Sequence, residues 1–91
     1  MLKLDLNKAS ADFITGLQAK QARQIWNKIV ALMKDPFPHD SAQLQGYPGM
    51  YRNDIGEFRV VYKVQDNCLY VYLVGKRNDD EVYTRLRNLL R

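Results

Sequence analysis

A chain of 91 residues with a formal net charge of +4 is one domain, because two independent hydrophobic cores need a longer chain. Its single cysteine and single histidine exclude an intrachain disulfide, a Cys/His zinc site and a two-histidine acid–base mechanism. The first eight residues mix charges among leucines, unlike a signal peptide. The longest apolar run, Cys68 to Val74, is far short of the ~20 residues of a membrane helix. These features predict a soluble, cytoplasmic, mildly basic domain whose charge favours an anionic partner only weakly.

Leu2, Leu4 and Leu6 alternate with Lys3 and Asp5, the pattern of a half-buried strand. Asn7 suits a helix N-cap, and Ala9, Phe13, Ile14 and Leu17 recur at helical spacing up to Gly16–Leu17. A second helix follows from about Ala19 to Lys34, with Ala22, Ile25, Trp26, Ile29, Leu32 and Met33 as its buried stripe. Pro36 and Pro38 stop it, and the short link makes the pair a helical hairpin. Residues Phe37 to Gly49 read as a loop. The period then changes to two, giving strands over Met50–Ile55, Glu57–Val64 and Leu69–Lys76, with turns at Gly56 and at Asp66-Asn67. An amphipathic helix over Asp80–Arg91, capped by Asp79, ends the chain. The predicted fold is α+β, order β-α-α-β-β-β-α, with the helical hairpin on one face of a small, mostly antiparallel sheet; residues 1–91 form a single domain.

Two-residue turns at Ile55-Gly56 and Asp66-Asn67 place Asn53 opposite Phe58, Tyr51 opposite Val60, Val60 opposite Leu73, Tyr62 opposite Val71 and Val64 opposite Leu69. The core face is then Tyr51, Phe58, Val60, Tyr62, Leu69, Val71 and Leu73. The other face sets Arg52 against Arg59, with Val61, Lys63, Tyr70 and Tyr72 beside them. Like charges directly opposite destabilise a sheet. Keeping them suggests an anion-binding face, and aromatic rings among cations suit stacking on nucleic-acid bases. A solvated face with scattered cations fits the same residues equally well. Lys76 and Arg77 follow Gly75 at the rim, and Tyr83 falls in the first turn of the last helix, where an isolated tyrosine more often packs than binds. His39 reads as a surface loop residue and Cys68 as a reduced structural thiol.

Three segments together resemble the RelE/ParE toxin superfamily, and most closely its RelE branch, the messenger-RNA interferases of type II toxin–antitoxin pairs. They are Leu44-Gln45-Gly46-Tyr47-Pro48-Gly49-Met50-Tyr51-Arg52, Gly56-Glu57-Phe58-Arg59-Val60-Val61-Tyr62-Lys63-Val64, and Val74-Gly75-Lys76-Arg77 followed by Glu81-Val82-Tyr83. The resemblance implies a ribosome-dependent endoribonuclease that cuts messenger RNA in the ribosomal A site, and a cognate antitoxin that neutralises it. It implies that Arg52, Arg59 and Arg77 surround the scissile phosphate and that Tyr83 orients the nucleotide and takes part in activating the 2′-hydroxyl. Lys63, Tyr70, Tyr72 and Lys76 are the expected further substrate contacts. It also implies an antitoxin helix that lies on the toxin and, in some relatives, shifts the last helix.

One position departs from the pattern. RelE proteins often carry a second lysine two residues after the first cation, and here Asp54 stands there. An aspartate accepts a proton but repels phosphate, so the base is uncertain, with Lys63 a candidate and Glu57 a weaker one. The chemistry must activate the 2′-hydroxyl, stabilise the phosphorane and protonate the leaving 5′-oxygen. Arginine, always protonated, serves as the stabiliser. Neither a metal nor a cofactor is expected. The alternatives are a ParE-like toxin acting on DNA gyrase, and a catalytically weak RNA-binding module of the same fold.

Overall fold

The computed structural model describes residues 1–78 and 81–89, without the side chains of 81–83 and 85. Eight elements follow one another: β1 (Lys3–Leu6), α1 (Lys8–Thr15), α2 (Ala19–Lys34), β2 (Ser41–Gln43), β3 (Met50–Ile55), β4 (Phe58–Gln65), β5 (Cys68–Lys76) and α3 (Glu81–Leu89). They build a five-stranded sheet in the order β1-β5-β4-β3-β2. Only β1 runs parallel to its neighbour, β5; the other pairs are antiparallel. The α+β class and the helical hairpin are as the sequence predicts, and β2 is an addition. It lies in the segment read as loop and pairs Ser41 with Asn53 and Gln43 with Tyr51. Three residues are too few to show a period of two, so only its partner strand reveals it.

Asn7 caps α1 by accepting from the Ser10 N–H at 2.9 Å, and its amide donates to the Tyr72 carbonyl at 2.8 Å, tying the helix to β5. In α2 Ile25, Ile29 and Leu32 are fully buried, but Trp26 is 39% exposed. One residue of rotation from Ile25 carries it off the inward stripe. Ile14, Ile25, Ile29 and Leu32 pack with Ile55, Phe58, Val60, Tyr62, Leu69, Val71 and Val74 between the hairpin and the sheet. Tyr62 is buried in that layer, its hydroxyl donating to the Pro36 carbonyl. Loss of solvent pushes its pKa up to about 12.

Two registers differ from expectation. The β3–β4 turn is Gly56-Glu57, with Ile55 opposite Phe58. Gly56 takes φ +57°, the left-handed region that the first central position of a type II′ hairpin demands and that a β-branched isoleucine resists. The pairing therefore slides by two residues: Asn53 faces Val60, Tyr51 faces Tyr62, and Arg59 faces Asp54 in place of Arg52. A slide of two keeps every side chain on its face and changes only its neighbour.

The β4–β5 turn is Asp66-Asn67 as predicted, both residues at positive φ (55° and 62°), the type I′ signature. Val64 faces Leu69 and Tyr62 faces Val71. The ladder then shifts between Val61 and Tyr62, so that Val61 faces Leu73 and Val60 faces Val74. This bulge turns Leu73 away from the hairpin and brings in Val74 instead. Leu73 joins Leu44, Met50, Val61 and Leu86 in a second small core on the opposite face. Helix α3, through the fully buried Leu86, covers part of the face expected to carry the arginines, Val61, Lys63, Tyr70 and Tyr72.

Candidate active site

Arg52 and Asp54 alternate with buried Asn53 on β3, and Arg59 lies across on β4. All three charged side chains share the face away from the hairpin, beside the β3–β4 turn. Asp54 lies between the two cations. Arg59 clasps it through two bonds, Nε to Oδ1 at 2.7 Å and Nη2 to Oδ2 at 3.2 Å. Arg52 Nη1 stands 3.7 Å from Oδ2. The like-charge opposition inferred from sequence is thus relieved by a carboxylate. The hydrogen bonds from Arg59 are the main cause that holds the Asp54 carboxyl below its ordinary range, and the charges of Arg59, Arg52 and Arg77 add to them against desolvation. Arg77 is exposed just past β5, its backbone N–H bonded to the Glu57 carbonyl at 2.9 Å.

The strand that carries Arg52 and Asp54 is anchored from behind. Asn53 is fully buried and donates to Asp40 Oδ1 at 3.1 Å, while Lys28 pairs with Asp40 Oδ2 at 3.2 Å. In the sequence, the only signal of this anchor is a polar residue, Asn53, at an inward strand position. A cleft of about 440 Å³ opens beside the arginines, lined by Gln43, Leu44, Gln45, Arg52 and Arg59. A second cleft of about 500 Å³ shares its first three residues and adds Gly46, Tyr47 and Pro48. The loop between β2 and β3 forms this wall. It is closed by its own backbone: Leu44 N–H to Met50 O at 2.8 Å, Met50 N–H to Tyr47 O at 3.1 Å and Tyr47 N–H to Leu44 O at 3.2 Å.

The remaining candidate residues lie elsewhere. Lys63 faces Met50 and Tyr70, four residues or ~13 Å along β4 from Arg59, and its Nζ lies 6.0 Å from the Tyr72 ring centre. Tyr70 and Tyr72 line a separate cleft of about 270 Å³ with Asp5, Asn7, Val71 and Leu89. The second core, with Met50, Val61 and Leu73 under Leu86, stands between them and the arginines. Lys76 pairs with Phe58 and so shares the hairpin face. Glu57 sits exposed in the turn, its carboxylate accepting from Gln21 at 3.3 Å. Neither Lys63 nor Glu57 is placed to serve the arginine cluster as a base. Tyr83 belongs to α3, and its side chain, like Asp79 and Asp80, lies outside the described residues. His39 is exposed and Cys68 is a free, partly buried thiol. Among the described residues no group of three acids, histidines or cysteines converges as a metal site, and no helix is long and apolar enough to cross a membrane.

Comparison with known proteins places this geometry in context. Residues 5–81 match the family described as the ParE toxin of type II toxin–antitoxin systems, parDE. No curated protein matches the chain. Solved structures do. A free-state mutant of the Escherichia coli RelE toxin superposes with a TM-score of 0.81 at 24% identity, covering 99% of this chain and 98% of its own. The isolated E. coli RelE toxin gives 0.74 at 24% identity with both chains fully covered. The RelE–RelB complex of Pyrococcus horikoshii gives 0.75 at 21% identity over 85% of this chain and 96% of that one. At such identities the likeness is one of fold.

Proposed function

This chain belongs to the ParE toxin family of type II toxin–antitoxin systems, and we propose that within the wider RelE/ParE group it acts as a RelE-type endoribonuclease on messenger RNA held in the ribosomal A site. The observation that supports this reading is the pairing of Arg52 and Arg59 about Asp54 on the sheet, beside an open cleft, with the Arg77 backbone tied to the Glu57 carbonyl at the same end. Among the described residues, the permanent cations Arg52 and Arg59 outnumber the one carboxylate between them, the net positive field that a phosphate requires. The proposed reaction is attack of a ribose 2′-oxygen on the adjacent phosphorus. The 2′-hydroxyl gives up its proton, the P–O5′ bond breaks and the leaving 5′-oxygen takes up a proton, leaving a 2′,3′-cyclic phosphate and a 5′-hydroxyl end with no net proton change. Arginine guanidinium groups stabilise the charge that builds on the non-bridging oxygens.

Asp54 is a poor general base, because its lowered pKa leaves it weakly basic at neutral pH. Its role is to hold the Arg59 fork in place until phosphate takes over part of that bonding. Tyr83 is the residue assigned to orient the nucleotide and to help activate the 2′-hydroxyl. A cognate antitoxin is the natural partner of a type II toxin, and several solved relatives are RelE–RelB complexes. Its binding is proposed to neutralise the basic cleft.

The family match and the acid at the centre of the cations favour a second reading, a ParE-like toxin directed at DNA gyrase. One paired experiment separates the two: primer-extension mapping on programmed ribosomes beside a gyrase supercoiling assay. The nuclease reading expects cuts within the A-site codon, 5′-hydroxyl products, and a loss of most of the rate in Arg59→Ala and Arg77→Ala. Inhibited supercoiling with intact message gives the answer to the gyrase reading.

A further inference from the structure

We infer that the groove running from Arg52 and Arg59 along Gln45 to Tyr47 is a nucleobase subsite, which seats the base next to the phosphate held by the arginines and sets the preference for where the chain cuts. The inference rests on the proposed nuclease reading and deepens it. Two clefts of about 440 and 500 Å³ share the wall Gln43, Leu44 and Gln45, so they adjoin, and each is large enough for a nucleotide-sized group. Cations line one end and an aromatic ring the other. That order matches a nucleotide, charged at its phosphate and flat and π-faced at its base.

The ring is held in place. Tyr47 is only part-exposed and packs against the core of Leu44, Met50, Val61, Leu73 and Leu86. The three backbone bonds across the loop, with Gly46 and Gly49 at φ +84° and +79°, fix the turn that carries it. A wall already ordered before binding loses little entropy when a base stacks on it. Gln45 is exposed, lines both clefts, and has no hydrogen-bond partner among the described residues. Its amide offers two donors and an acceptor, the set needed to read a base edge. A peptide occupant accounts less well for this arrangement, because its extended backbone needs a strand edge and spaced pockets and not one aromatic platform beside a cation pair.

The test uses the full chain and the variants Gln45→Ala, Tyr47→Ala and Tyr47→Phe, with two readouts. The first is the distribution of cut positions on programmed ribosomes carrying all sixteen dinucleotides at the A site. Tyr47→Ala is expected to lose about tenfold in rate, the scale of one lost base stack, and Tyr47→Phe to retain it, since the ring and not the hydroxyl is used. Gln45→Ala, at an exposed position that does not endanger folding, is expected to flatten the preference for the base beside the cut while total cleavage stays within a few-fold. The second readout is fluorescence quenching of a 2-aminopurine-containing trinucleotide by the free toxin. It is expected with the wild type and Tyr47→Phe and lost with Tyr47→Ala, and it needs no cleavage.

A wild type that cleaves no message overturns the nuclease reading, and the quenching arm still decides the subsite. Unchanged cut patterns in Gln45→Ala and Tyr47→Ala, or quenching absent in the wild type or equal in Tyr47→Ala, overturn the subsite.

Discussion

Asp54 supplies the site with an anion of its own. Its carboxylate occupies the Arg59 fork at 2.7 and 3.2 Å, bonds that a bound phosphate would also use. Asp54→Asn is therefore expected to tighten binding of a short RNA several-fold, read by fluorescence anisotropy at fixed salt. The same substitution alters the response to acid. The folded-state pKa of Asp54 lies below its ordinary value, so its ionised form stabilises the fold. That contribution is whole above the unfolded-state pKa of ~3.9 and is lost as pH falls through the lower folded value. Urea midpoints are expected to show a wild-type advantage over Asp54→Asn of about 1 kcal/mol at pH 7, shrinking to nothing in strong acid. The shared face of Arg52 and Arg59 was legible in the sequence because strand alternation survives a slide of two residues. The Asp54–Arg59 pair was not, because it depends on where the turn closes.

Turn chemistry and one bulge decide the elements. Asn67 at φ 62° sits where asparagine and glycine are tolerated and other side chains cost about 1–2 kcal/mol. Thermal melting is expected to show Asn67→Ala destabilised by that amount and Asn67→Gly close to wild type. The bulge beside Tyr62 leaves no mark in the sequence, since neither glycine nor proline stands at Val71, Tyr72 or Leu73. It nonetheless gives α3 its seat by turning Leu73 toward Leu86. Truncating the fully buried Leu86 to alanine removes a methyl-rich plug and is expected to cost about 2–5 kcal/mol. Hydrogen exchange is the check: α3 amides are expected to lose protection well before those of β4 and β5.

Across the whole molecule, the excess of +4 matters by where it falls. Arg52, Arg59 and Arg77 concentrate at one end of the sheet, while Lys63 lies with Tyr70 and Tyr72 beyond the second core. Single-stranded RNA affinity is expected to fall with salt, and Arg52→Ala to reduce the log–log slope by about 0.7, the share of one phosphate contact. Lys63→Ala is expected to leave that slope near the wild-type value in the same titration if the arginine end alone takes the phosphate backbone. Long-range pairing assembles this arrangement. The parallel β1–β5 ladder joins Leu4 to Leu69, and the β2–β3 loop swings beside the arginines to form the cleft wall.

The sequence by itself determined the α+β class, the helical hairpin, three of the five strands by alternation with β1 by its leucines, both β-turn regions, and the common face of Arg52 and Arg59. Each of these follows from local periods and from residue-specific backbone preferences, which act over a few neighbours. Only the tertiary structure decided the Gly56-Glu57 register, the bulge, the short strand β2, the second core under α3 and the division of the expected polar face into two clusters. Those depend on which distant groups meet. One residue of extra backbone in β5 turns Leu73 from one face to the other, and no local propensity at that position opposes or demands it.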